Sequence, residues 1–238
     1  MNSEVTPPAL TRLIAGADRK TMVILLLSPL LIITFKYFGS KEFYLRHLVH
    51  GAGRSEHGAA LFVFAAAFVL FGVIPGLVVK LGFKEKLSDY GVKSGDTGYA
   101  LKAFVPLAPI LLVASYISSG QEVFRAEYPL DHMIGTAPAA FALHALCYLV
   151  FYLGWEFFFR GFMLFGLSAR LGLVNAILIQ TLASCLAHIG KPAGEIYGSI
   201  LGGLAWGWVA ARCQSWWVVL LLHWLLGVSL DFFICYVR

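Results

Sequence analysis

Charged residues are scarce in this chain. They make up 13% of its 238 residues, whereas 59% are hydrophobic and the mean hydropathy is +0.79. A soluble globular domain carries about 25% charged residues, so the composition excludes a soluble protein and predicts an integral membrane protein in contact with a lipid bilayer. The net charge of +5 comes from lysines and arginines scattered at the ends of apolar segments. No basic run alternates with aromatics, so nucleic acid is not an expected partner.

Cysteine is also rare, and several common catalytic motifs are missing. Four cysteines lie far apart, which excludes a disulfide framework or a Cys-x-x-Cys site and predicts buried thiols. No Gly-x-Ser-x-Gly motif offers a serine nucleophile. No His-Glu-x-x-His pair offers two metal ligands on one helix. We therefore expect no cofactor and no metal. The four cysteines are Cys147, Cys185, Cys213 and Cys235.

Long apolar segments fill most of the chain and predict an all-α polytopic transmembrane bundle of seven or eight spans. Each span takes about 20 residues, which leaves one integral membrane domain over 1–238 and no separate domain outside the membrane. Gly154 either kinks one long helix or separates two, because about 34 helical residues would extend about 50 Å. The segments are Met22–Phe38, Ala59–Val79, Tyr99–Ile117, Thr136–Leu153 continuing into Trp155–Ala169, Leu173–His188, Ile196–Ala211 and Trp216–Tyr236.

The positive residues of the loops predict the orientation of the chain. With seven spans, most of them fall on the side of the N-terminus, which the positive-inside bias makes cytoplasmic. One loop disagrees, since 40–58 carries three positive residues and would lie outside. The agreeing residues are Arg12, Arg19, Lys20, Lys80, Lys84, Lys86, Lys93, Arg170 and Arg212, and the disagreeing ones are Lys41, Arg46 and Arg54.

Three apolar segments contain ionisable residues that suggest an active site. Glu156 is the one carboxylate between Thr136 and Ala169, and an ionisable group at that depth is costly enough to indicate function. Arg160 follows four residues later, about 40° further round a helix, so we expect the two side chains to form a pair. His188 and His223 lie in later apolar segments. We expect Glu156, His188 and His223 to converge within a few ångströms, directly or through a water.

Each of these residues also has a purely structural interpretation. Glu156 and Arg160 could simply lock two helices together, His188 could lie at the membrane interface, and His223 could form an interhelical hydrogen bond. Taken together, a carboxylate and two imidazoles can activate water for attack on a carbonyl. Two histidines and a glutamate could also bind zinc, an alternative that ranks lower because the helical ligand spacing is missing.

The motif-bearing part of the chain, about 138–231, resembles the CAAX-protease and bacteriocin-processing (CPBP, or Abi) intramembrane proteases. That family carries Glu-Glu-x-x-x-Arg on one helix, Phe-x-x-x-His on a later one, and His-x-x-x-Asn or Asp on the last. Glu156 and Arg160 match the second Glu and the Arg, and His188 and His223 match the two motif histidines. The resemblance implies a helical bundle with a polar cavity and makes Glu156, Arg160, His188 and His223 the expected catalytic residues.

Three positions depart from the family pattern. Trp155 stands where the family has its first Glu, Ser184 replaces the Phe, and Gly227 replaces the Asn or Asp. Asp231 lies two turns beyond His223, about 80° from it round a helix. Because the family's water-activating role is usually placed on the first Glu, either Glu156 has become the base, as in a single-Glu subgroup, or the protein has lost catalysis.

The resemblance favours a protease, and two other functions stay open. We expect a peptide hydrolase that acts on a membrane protein or peptide, with processing of C-terminal membrane sorting tails as a candidate role. The alternatives are a non-catalytic scaffold or bacteriocin-immunity protein and, less favoured because no repeat of interrupted helices is evident, a transporter. The expected location is the bacterial inner membrane. Lys191 and Glu195 flank Pro192 and are expected at the membrane interface.

Overall fold

The computed structural model of the chain describes residues 18–49 and 55–238. Within these ranges the protein is all-α, with seven long helices and no strand. Shorter helical turns cover Lys41–Leu48, Leu87–Tyr90, Glu122–Glu127 and His132–Thr136. The long helices are α1 (Arg19–Phe38), α2 (Glu56–Phe83), α3 (Thr97–Ser119), α4 (Pro138–Leu171), α5 (Leu173–Ala187), α6 (Ala193–Cys213) and α7 (Trp217–Tyr236).

Polar side chains cap the first turns of three long helices. Asp18 accepts the backbone N–H of Thr21 at 3.0 Å at the start of α1, and Asp96 accepts that of Tyr99 at 2.9 Å at the start of α3. Ser55 caps α2 in the same way. Each cap satisfies a backbone donor that has no partner inside its helix, so the spans begin where the polar loops end. The hydrogen bonds from Thr21 lower the pKa of Asp18.

Helix α4 runs without a break through Gly154, for 34 residues. Gly154 therefore does not separate two helices. A β-carbon at this position would lie 2.8 Å from Cα of Phe68 and 2.9 Å from the carbonyl oxygen of Ala67, so the glycine allows the backbones of α4 and α2 to touch where they cross. The second half of α4 widens into π-helical backbone at Phe157–Phe165, a conformation that is frequent at functional sites.

Helices α5 and α6 form an antiparallel hairpin. The predicted interruption between His188 and Pro192 is confirmed, because α5 ends at Ala187, Gly190 has a φ of +96°, and α6 begins after Pro192. The Gln180 side chain donates a hydrogen bond of 2.7 Å to the carbonyl oxygen of Gly203 on the facing helix. This hydrogen bond holds the two helices of the hairpin together.

The loops of the bundle lie at two opposite ends. At the end where α1 begins, Lys20 pairs with Glu85 at 2.7 Å. At the end where α1 finishes, Lys36 donates to the carbonyl oxygen of Ile189 at 2.5 Å and Lys41 to that of Leu130 at 3.1 Å. The side chains of Lys36 and Lys41 are held by backbone acceptors at this second end, which gives part of the disagreeing positive loop a structural role. Arg12 and Arg54 lie outside the described residues.

The outer surface of the bundle is apolar, as a lipid-facing surface must be. Large side chains such as Leu26 on α1, Leu101 on α3 and Leu201 on α6 are exposed by 74%, 64% and 73%. In the described part of the chain, five helices are long and apolar enough to cross a membrane, namely α1, α2, α3, α4 and α7. Helix α5, with 15 residues, is shorter. The chain is thus an integral membrane protein, and the count of seven or eight spans stays a prediction.

Candidate active site

Glu156 and Arg160 form a buried ion pair on α4. The two side chains are 0% and 1% exposed, the Nη1 of Arg160 donates to Oε1 of Glu156 at 3.3 Å, and its Nε lies 3.3 Å from Oε2. This confirms the predicted contact between the two residues. Because each charge would be costly if it were buried alone, each side chain supplies the counter-charge of the other, and the arginine holds the glutamate in place.

His223 on α7 joins this pair from the neighbouring helix. Its Nδ1 lies 2.6 Å from Oε1 of Glu156. When Nδ1 carries the proton and donates it to the carboxylate, the Nε2 of a neutral imidazole is left as an acceptor. The histidine side chain is 14% exposed and lines a cavity. Glu156 and His223 are therefore in contact, as predicted, and the carboxylate holds the imidazole through its Nδ1.

His188 lies at the end of α5 and contacts a different set of residues. Its Nδ1 is 2.7 Å from the carbonyl oxygen of Ser184, and its Nε2 is 3.8 Å from Oε1 of Glu195. Its ring packs edge-on against Trp155, with 5.3 Å between ring centroids. Among the described residues, His188 is thus linked to the Glu156–His223 pair through a shared cavity and not by direct contact. The predicted convergence holds for Glu156 and His223, whereas His188 shares only the cavity wall with His223.

That cavity has a volume of about 370 Å³ and opens at the end of the bundle where α1 finishes. Its wall contains His188, His223, Trp155, Tyr152 and Glu195. Glu156 is not part of the wall but lies behind His223. A molecule in the cavity can therefore contact both imidazoles directly and Glu156 through His223.

Glu195 and Tyr128 belong to this wall, although neither was expected in the site. The hydroxyl of Tyr128 donates to both carboxylate oxygens of Glu195, at 2.9 and 2.8 Å. Burial raises the pKa of the Tyr128 phenol well above its usual 10, so the hydroxyl stays protonated and able to donate. The sequence offered one signal for Glu195, its position in the first turn of the helix that follows the His188 break.

Gly227 and Asp231 explain how the last motif differs here. A β-carbon at Gly227 would lie 2.3 Å from the hydroxyl of Tyr152, so the tyrosine fills the space beside His223 that a larger residue at position 227 would need. Asp231 is buried, and its Oδ2 lies 3.2 Å from Nε2 of His144. Its partner is therefore His144, at a distance from His223 along α7, and it does not replace the missing motif residue.

The donor atoms of the site favour acid and base chemistry. Within the described ranges, no three His, Cys, Asp or Glu side chains are grouped closely enough to hold a metal ion. Glu156 and His223 are at hydrogen-bonding distance, and His223 lines the cavity. The arrangement can remove a proton from a water and return it to a leaving group.

Comparison with known proteins agrees with the motifs. Residues 136–229 match the family described as type II CAAX prenyl endopeptidase Rce1-like. No curated protein and no solved structure matches the chain. The matched residues include Glu156, Arg160, His188 and His223, and they cover the cavity-lining parts of α4, α5, α6 and α7. Residues 136–229, which carry the four motif residues, are therefore similar to a family of CAAX endopeptidases.

Proposed function

We propose that the protein is an intramembrane endopeptidase that hydrolyses a peptide bond of a membrane-associated or lipid-anchored protein. The observation that carries this proposal is the hydrogen bond of 2.6 Å between Glu156 and His223. It joins two motif positions at the wall of a cavity that is large enough for an extended peptide segment. A purely structural ion pair would not need His223 in the wall of that cavity.

In the proposed reaction, Glu156 activates the water through His223. Nε2 of His223 takes a proton from the water while Glu156, which accepts the Nδ1–H, stabilises the imidazolium that forms. The water oxygen bonds to the carbonyl carbon of the substrate, and the tetrahedral intermediate collapses as the peptide C–N bond breaks. His223 then returns the proton to the leaving nitrogen. Arg160 takes no proton and keeps the carboxylate oriented.

The position of the cavity suggests which part of a substrate is cut. It opens at the end of the bundle opposite Lys20 and Glu85, and the expected orientation places that end outside the cytoplasm. A substrate anchored in the membrane could enter along the apolar helices and present a segment close to its anchor. This favours processing of C-terminal membrane tails in the bacterial inner membrane, with the N-terminus of the protease in the cytoplasm.

The experiment that tests the function uses purified protein in liposomes and a set of fluorescent peptides, each with a C-terminal membrane tail or a lipid anchor. We expect wild-type protein to cleave at least one of them. Glu156→Gln should abolish cleavage, because Gln keeps the shape of the side chain but cannot stabilise an imidazolium as a carboxylate does. The variant should be less stable, since Arg160 loses its anion, and thermal unfolding checks that it is still folded. Glu122→Gln, at an exposed position on a loop helix, is the control and should cleave normally.

A chelator separates this chemistry from metal catalysis. We expect EDTA or 1,10-phenanthroline to leave the rate unchanged. Inhibition that zinc reverses would assign Glu156, His188 and His223 to a metal site. Equal cleavage by wild type and Glu156→Gln would contradict the proposed role of Glu156.

The second candidate function is a non-catalytic scaffold or immunity protein. It is favoured by the presence of a tryptophan at position 155. The residue replaces the family's first Glu and packs its ring against His188. If the scaffold function is correct, the wild-type protein should bind a tail peptide in liposomes without cleaving it. Glu156→Gln should then bind as well as wild type.

A further inference from the structure

The cavity contains a carboxylate that the motif residues do not include. The side chain of Glu195, on the first turn of α6, is 23% exposed and lies in the wall beside His188. Glu156 is fully buried behind His223, so Glu195 is the acid that a molecule next to the two histidines would touch. Its position therefore makes Glu195 a candidate binding residue for a molecule in the cavity.

The hydrogen bonds of His188 turn one nitrogen towards Glu195 as an acceptor. The carbonyl of Ser184 can only accept, so the contact of 2.7 Å places the proton of a neutral His188 on Nδ1. The Nε2 then has a free lone pair, 3.8 Å from Oε1 of Glu195. Two acceptors at this distance do not bind each other, and they form a site for a small molecule that donates hydrogen bonds.

The other neighbours of Glu195 leave its acceptor capacity largely free. The hydroxyl of Tyr128 supplies one proton, shared between the two oxygens at 2.9 and 2.8 Å, whereas an ionised carboxylate has about four acceptor positions. Lys191 lies close by in sequence, but its ammonium group pairs with Glu127. Glu195 is thus held in place by Tyr128 and still open to a donor in the cavity.

We propose that Glu195 is a further catalytic residue, which together with His188 holds the nucleophilic water opposite His223. One O–H of the water points to the Glu195 and His188 acceptors, and the other points to Nε2 of His223, which takes that proton. The water oxygen then bonds to the substrate carbonyl carbon, and the proton later moves from His223 to the leaving nitrogen. The proposal rests on the proposed peptidase function and names the residue that orients its water.

Trp155 gives this proposal a specific prediction. The indole contacts His188 at the position where the family has a carboxylate, and Glu195 approaches the same histidine from α6. In this chain the carboxylate next to His188 therefore comes from Glu195 on α6 and not from position 155 on α4. A glutamate introduced at position 155 should restore part of the activity that removal of Glu195 costs.

The experiment compares wild type, Glu195→Gln, Glu195→Asp, Glu122→Gln and the double variant Trp155→Glu with Glu195→Gln, in liposomes with the tail peptide that wild type cleaves. We expect kcat of Glu195→Gln to fall about 100-fold or more while KM stays within about twofold, since positioned acid and base groups contribute about 10²-fold to 10⁴-fold. Glu195→Asp and the double variant should recover part of the rate. Glu122→Gln, which removes an exposed carboxylate outside the cavity wall, should cleave like wild type.

The outcomes separate this proposal from the peptidase function. Normal cleavage by Glu195→Gln, with Glu156→Gln inactive, would overturn the role of Glu195 and leave the peptidase function intact. A raised KM with an unchanged kcat would make Glu195 a substrate-binding residue and also overturn it. Absence of cleavage by the wild type with every peptide would overturn both. Thermal unfolding of each variant checks that a lost rate does not come from a lost fold.

Discussion

At the scale of single residues, the site depends on charges that are buried together. Glu156 and Arg160 are both almost inaccessible, and their attraction has to offset the cost of removing two ions from water. His223 adds a hydrogen bond to the same carboxylate oxygen that Arg160 contacts. The same buried contacts of Glu156 therefore stabilise this part of the bundle and orient His223.

Removing Arg160 should destabilise the protein and not merely inactivate it. Arg160→Met leaves the carboxylate of Glu156 buried without its cation, and breaking a buried pair in this way costs about 3 to 5 kcal/mol. The measurement is thermal unfolding in detergent. Combining Arg160→Met with Glu156→Gln should recover most of the lost stability, because neither charge then remains. An Arg160→Met protein as stable and active as wild type would show that the pair is incidental.

The contact between Gly227 and Tyr152 gives a second residue-scale prediction. Gly227→Ala should lower stability by about 1 to 3 kcal/mol through overpacking, since its β-carbon would lie 2.3 Å from the tyrosine hydroxyl. Tyr152→Phe removes that oxygen and should restore part of the loss in the double variant. Thermal unfolding of the two single variants and the double variant measures the coupling. Additive effects would argue against the contact.

The sequence predicts some of these residues and not others, for a physical reason. Glu156 and Arg160 are four residues apart on one helix, so their pairing follows from helical geometry. The contact of His223 with Glu156 was expected from the cost of a lone buried charge. Glu195 and Tyr128 meet across 67 positions of sequence, and both are residue types that are common at membrane interfaces. Glu195 has a single local signal, its position in the first turn of α6, and Tyr128 has none, so their place in the site depends on how α6 packs.

At the scale of helices, close backbone contact positions the motif on α4. Gly154 lies two residues before Glu156 and allows α4 to cross α2 at van der Waals distance. The sequence left open whether this glycine kinks a helix or separates two. The structure has one continuous helix, in which the glycine serves the packing of two helices. On α6, Gly203 packs against Thr181 of α5, whereas Gly198 has open space around its Cα.

Two glycine substitutions test this packing against each other. Gly154→Ala introduces a β-carbon 2.8 Å from the backbone of α2, and Gly198→Ala introduces one with nothing within 4 Å. Both changes gain about the same helix propensity, about 1 kcal/mol at most. We therefore expect Gly198→Ala to be neutral or stabilising and Gly154→Ala to lower both the unfolding temperature and the cleavage rate. Equal behaviour of the two variants would contradict the close crossing.

At the scale of the whole molecule, the two ends of the bundle differ in function. One end carries the loops of α2–α3 and α6–α7, where Trp216 donates to the carbonyl oxygen of Tyr90 at 3.0 Å. The other end carries the cavity. The all-α class and the order of segments followed from composition and apolar length, whereas the location of the cavity did not, because it depends on which loops meet. The alternation of loops between the two ends agrees with seven crossings.

The orientation of these two ends is tested by chemical labelling. In a variant without the four native cysteines, Glu122→Cys places a thiol at the cavity end and Lys86→Cys places one at the opposite end, both at exposed positions. If the N-terminus is cytoplasmic, a membrane-impermeant maleimide should label position 122 in intact cells and position 86 only after permeabilisation. The positive-inside bias is the reason, since Lys80, Lys84, Lys86 and Lys93 lie at the end without the cavity. The reverse pattern would place the cavity in the cytoplasm and direct the search for substrates to cytoplasmic tails.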